Sequence, residues 1–99
     1  MTHKISMDFF VYILECRDKS LYTGITTDLG RRTRQHSLGK GSRYVRSRLP
    51  ARLVYFERFK TRSDALKREN VVKRMVHAEK KRLILNQRAE PLAGLHERI

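Results

Sequence analysis

The run FFVYILEC, residues 9–16, is apolar at both parities and rich in aromatic and β-branched side chains. A strand exposed on one face alternates apolar with polar residues, so this unbroken run reads as a central strand covered on both faces. With 99 residues there is material for one small domain with a modest core, and this strand has to lie in its middle. The turn residues RDKS follow, and SLYTGIT, residues 20–26, alternates as the hairpin partner. Leu21 and Ile25 fall on one face; Tyr22, Gly24 and Thr26 fall on the other. A glycine inside a strand weakens it and marks a close approach, here a gap that admits a ring, a backbone or a phosphate.

Parity ties two tyrosines to the turn between these strands. Tyr12 and Tyr22 share a face only if the connecting loop holds an odd number of residues or a bulge corrects the register. A loop of Arg17, Asp18 and Lys19 sets Tyr12 across from Gly24 and diagonal to Tyr22. A two-residue turn at Asp18 and Lys19 sends the rings to opposite faces.

Beyond the hairpin, Thr27 caps a helix whose first turn holds Asp28 and which runs through RRTRQHSL to Gly39. GKGSRYVRSRLP, residues 39–50, joins two glycines to four basic residues and a tyrosine, and reads as a mobile basic loop. LVYFERF, residues 53–59, is a third strand, and TRSD at 61–64 has the capping-box pattern of a helix that runs to about 76. A second helix, roughly 78–86, follows with little break, and a poorly ordered tail is expected beyond Pro91. The order is β-β-α-β-α-α. It implies an α/β (α+β) fold in which helices flank a small three-stranded antiparallel sheet, one domain over 1–99 with its core at about 9–86 and a tail at about 87–99.

The charge selects the partner. Lys and Arg number 23 against 10 Asp and Glu, a formal +13, so a polyanion is expected. The basic residues are spread through the chain, no apolar run approaches the length of a spanning helix, and MTHKISMDFF lacks the pattern of a secretory signal; nucleic acid is favoured over a membrane surface. Cys16 is the one cysteine, so there is neither a disulfide framework nor a CxxC metal site, and a reducing cytoplasm is the expected location. Beside Leu14 it reads as a small core hydrophobe.

Arg32 and His36 stand four apart on one helix face, which Leu29 anchors to the sheet. Singly, the arginine reads as a solvated charge and the histidine as a structural residue. Glu69 is less ordinary, because it interrupts the stripe Ala65, Glu69, Val72, Val76 on the helix from residue 64. A carboxylate on an apolar face needs a cation, a hydrogen-bond donor or a metal ion, and an arginine ion pair and a metal are both open. The candidate nucleic-acid contacts are Gly24 with its gap, Lys40, Arg43, Tyr44, Arg46 and Arg48 in the basic segment, and Lys73.

VYI at 11–13 and YTG at 22–24, followed in order by Arg32, His36 and Glu69, resemble the motifs of the GIY-YIG nuclease family, most closely its small stand-alone bacterial members of the UPF0213 kind. The likeness covers roughly residues 9–86. FVY stands for GIY and YTG for YIG; both tyrosines and the second glycine are kept. The resemblance implies a metal-dependent endonuclease that hydrolyses DNA phosphodiesters, in repair or in processing of DNA structures. One Mg²⁺ or Mn²⁺ would be held by Glu69 and completed by water and phosphate oxygens. Arg32 would clamp the scissile phosphate, a motif tyrosine would act as general base, with Tyr22 preferred and Tyr12 beside it, and His36 would bond phosphate or assist proton transfer. No small-molecule cofactor is implied. Without an attached specificity module, target choice is expected to be non-sequence-specific or structure-directed. The alternative is a nucleic-acid-binding domain that keeps the fold with little or no turnover.

Overall fold

A computed structural model describes residues 7–98, and the side chains of residues 7–88. The first strand, β1 (Phe9–Glu15), lies between β2 (Leu21–Thr26) and β3 (Arg52–Phe59), both antiparallel to it, in the order β2-β1-β3. Its parity explains the two-sided core. Val11 and Ile13 face Tyr55 of β3, Ala65 and Val72 of α3 (Arg62–Lys73) and Ile84 of α4 (His77–Arg98). Tyr12, Leu14 and Cys16 face the other way, onto Val45 of α2 (Arg43–Arg46) and, at the margin, Leu29 of α1 (Leu29–Ser37). Cys16 is buried there as a packing residue. Among the described residues no helix is long and apolar enough to cross a membrane.

The hairpin has the odd loop. Cys16 N–H donates to Ser20 C=O at 2.9 Å and Lys19 N–H to Cys16 C=O at 2.9 Å, which leaves Arg17, Asp18 and Lys19 between the closing pair. Lys19 takes the left-handed conformation that closes such a loop, at φ 73°. The register follows: Tyr12 pairs with Gly24 and Leu14 with Tyr22, so both tyrosines share a face.

Four boundaries differ from the sequence reading. Asp28, not Thr27, caps α1, because its Oδ1 accepts from Arg31 N–H at 3.0 Å. The segment expected as a mobile loop contains α2, capped by Ser42 Oγ on Val45 N–H at 3.1 Å; counting charges and glycines overlooked Val45, which is wholly buried and pins the turn to the sheet. Thr61 caps α3 through Asp64 N–H as the capping pattern implies, but the helix stops at Lys73, so Val76 leaves the buried stripe and is 63% exposed. Finally, α4 continues to Arg98 where a tail was expected past Pro91, since strong helix formers on either side outweigh one missing N–H. Gln87 holds α4 to the outer edge of β3, accepting from Phe56 N–H at 3.1 Å and donating to its C=O at 2.6 Å.

Gly24 is where strand and core make the strictest demand. A Cβ there would stand 2.5 Å from Tyr12 Oη and 2.6 Å from Cζ, inside the ring's own volume. Gly24→Ala is therefore expected to destabilise the protein by about 2 kcal/mol, lowering the melting temperature on the order of 10 °C. Thermal denaturation of the variant measures this; an unchanged midpoint would mean the ring can move aside.

Candidate active site

The site grows from the Tyr12 ring. Lying across Gly24, it carries its hydroxyl beneath α1, where His36 in the last turn shares a 2.9 Å hydrogen bond through Nε2. Each residue is only 1% exposed. On its far side the imidazole packs against Gly41, where any Cβ would overlap Nδ1 and Cε1. His36 Nδ1 is buried with no hydrogen-bond partner. Burial, with a smaller push from the Arg32 charge, lowers the His36 pKa, so the ring favours its neutral form. Burial raises the Tyr12 pKa; Arg32 opposes this, while Tyr22 and Glu69 add to it. The Tyr12 hydroxyl is thus held directly by His36 alone among the candidate groups.

Arg32 stands one turn before His36 on α1, half-buried, with its guanidinium fixed by an Nη1 donation to Gln35 Oε1 at 3.0 Å. Tyr22 meets the His36 ring edge-on at 5.4 Å and lies almost parallel to Tyr44 at 6.0 Å. Arg48 lies over the Tyr44 ring, its Cζ 3.8 Å from the centroid, and donates through Nε to Asp18 Oδ2 at 3.1 Å. The stack Arg48, Tyr44, Tyr22 thus buttresses the wall of the site from the hairpin loop and α2.

Glu69 is 8% exposed on α3, on the stripe with Ala65 and Val72. The anticipated arginine partner is not there. Among the described residues its one ion pair is with Lys73, Nζ to Oε2 at 3.3 Å, one turn along the helix. No group of three or more His, Cys, Asp or Glu able to hold a metal ion occurs among the described residues. Glu69 is an inward carboxylate with no multidentate cage around it, a donor of the kind that suits a hard cation keeping most of its water.

One expectation needs correcting: Gly24 offers no approach to phosphate, because Tyr12 fills the gap the glycine leaves. Tyr12 and His36 are themselves sealed by the packing of α1 and the Gly41 turn. Lys40, Arg43, Arg46 and Lys73 are exposed, whereas Arg48 has its charge engaged by Asp18. Sequence reasoning missed Gly41, Asp18 and Gln35. Gly41 alone carried a signal, since a second glycine two residues after Gly39 suits a close approach as well as a flexible loop.

Residues 8–82 match the family model described as the GIY-YIG catalytic domain. A UPF0213 protein of Haloquadratum walsbyi is 53% identical over 74 residues, covering 75% of this chain and 83% of that protein. Another, from Natronomonas pharaonis, is 42% identical over 83 residues, covering 84% of this chain and 98% of its own. The solution NMR structure of a UPF0213 protein from Bacillus halodurans superposes with a TM-score of 0.52 at 45% identity, over 79% of this chain and 83% of that one. An NMR structure of an E. faecalis protein gives 0.57 at 34% identity, over 91% and 94%. With the motif tyrosines, arginine, histidine and glutamate all present in order, these matches show that the chain belongs to the GIY-YIG nuclease superfamily, among its small UPF0213 proteins.

Proposed function

We propose that this protein is a metal-dependent DNA endonuclease that acts on DNA structures in repair or processing. The observation that supports the reading is the Tyr12–His36–Tyr22 cluster, joined by the 2.9 Å hydrogen bond and ring contacts, with Arg32 one turn before His36 on α1 and an inward carboxylate, Glu69, on α3. Phosphodiester hydrolysis needs these kinds of group: a water oxygen attacks phosphorus, its proton goes to a base, and the bond to the leaving oxygen breaks. Arg32, held by Gln35, binds the scissile phosphate and offsets the charge that builds on its oxygens. Tyr22 is the preferred base, because it is only half-buried while the Tyr12 hydroxyl is engaged by His36. Tyr12 and His36 fix the wall against which Tyr22 rests. Glu69 is the residue that would hold a divalent ion, which when bound supplies Lewis acidity at the phosphate. The second reading, a DNA-binding domain with little turnover, is favoured by the sealing of Tyr12 and His36.

The deciding experiment incubates branched and linear DNAs with the protein, with and without Mg²⁺ or Mn²⁺, beside Glu69→Gln. Cleavage is expected only with metal, and the variant, folded as before, should lose at least about 100-fold in rate, the loss typical of removing one transition-state-stabilising group. Metal-dependent binding of DNA without cutting would instead establish the second reading.

DNA binding itself is expected to be steeply salt-dependent and nearly indifferent to sequence, because exposed cations such as Lys40, Arg43 and Arg46 contact phosphates and read no bases. Arg43→Ala should make the slope of log affinity against log salt shallower by about 1 and weaken all duplexes alike. A flat slope, or one strongly preferred short sequence, would contradict it.

A further inference from the structure

Glu69 and Lys73 belong to the last turns of α3; the order Glu then Lys at i,i+4 is the favourable one for their pairing, and the helix C-terminus favours the lysine cation. Their environments differ. The carboxylate has 10% of its side chain exposed and the lysine 53%, so the acid is fixed by packing while the ammonium reaches it along a solvated stem. The ammonium thus occupies Oε2 of the inward Glu69 carboxylate.

We propose that Lys73 is an exchangeable counter-ion of Glu69: its ammonium occupies the carboxylate while no metal is bound, and an arriving divalent cation displaces it. The proposal rests on the reading of Glu69 as the metal-holding residue. It assigns Lys73 a role separate from any contact with DNA. Displacement is feasible because Lys73 is half-exposed and its stem is flexible, so the ammonium returns to water without unpacking α3. It also means that metal binds more weakly than a lone carboxylate would allow, since each ion competes with a tethered cation at high local concentration.

The test is Mn²⁺ alone, titrated into DNA-free protein and followed by electron paramagnetic resonance. Four proteins are compared: wild type, Lys73→Met, Lys67→Met and Glu69→Gln. Lys67 is an exposed residue of the same helix, so its variant carries the same change in net charge without touching the ion pair. Lys73→Met should bind Mn²⁺ about fivefold more tightly than wild type, the upper end of what a partly exposed ion pair contributes. Lys67→Met should stay near wild type. Equal affinities for the two methionine variants, or weaker binding by Lys73→Met, would overturn the proposal. Mn²⁺ binding that survives in Glu69→Gln would instead remove the metal from Glu69, and with it the reading beneath the proposal.

Discussion

The hydrogen bond between Tyr12 and His36 is the contact on which the geometry of the site depends. It joins the central strand to the last turn of α1, and a glycine stands at each end of the pair: Gly24 under the phenol ring and Gly41 against the imidazole. Neither glycine tolerates a Cβ without displacing a ring. The pair is sealed, so neither partner has water to fall back on, and separating them would strand a buried hydroxyl and a second imidazole nitrogen beside the already unpartnered Nδ1. Once it is made, the direction of α1 is fixed, and with it the position of Arg32 one turn earlier.

Electrostatics then divides the molecule. A chain with a formal +13 places most of its cations on the surface, but the neighbourhood of Tyr12 is balanced: Arg32 opposes the effect of Glu69 and of burial on the hydroxyl. Several of the other charges come in opposed pairs. Arg48 answers Asp18, Lys73 answers Glu69, and Arg68 makes a bidentate contact to Glu57 that also receives the Tyr55 hydroxyl. The surplus of positive charge is left on exposed segments, where a phosphate backbone meets it without desolvating the core.

Much of this was readable from the chain because it follows from local rules. The two-sided apolar run fixes β1 as central, strand parity fixes the odd loop and the shared face of the tyrosines, and the capping pattern at Thr61 starts α3. The candidate residues came from spacing, and the family resemblance gave that spacing a chemistry. What was not readable depends on which neighbour arrives from far along the chain. Gly24 announces a gap and the odd loop sets Tyr12 across it, but only the fold shows that the ring fills it completely and that Gly41 closes on His36 behind it. Val45 is one apolar residue among charges, and its burial follows from the position of β1 and α1 around it. Lys73 and Arg48 look like any solvated cation in the sequence; the structure gives each a carboxylate and so a different task.

If the site is organised by a sealed, neutral Tyr12–His36 pair, the imidazole should be reluctant to take a proton. Its folded-state pKa lies below the ordinary 6.5, so the unfolded chain binds the proton more readily, and stability that is full above about 6.5 is lost as the pH falls toward the folded value. Ring-nitrogen NMR of His36 across a pH titration, in wild type and in Tyr12→Phe, measures this directly. The account predicts a neutral ring at pH 7 with a midpoint below 6.5 in the wild type, and a change in the Nε2 shift when the hydroxyl is removed. A midpoint at or above 6.5, or identical spectra in the two proteins, would contradict it.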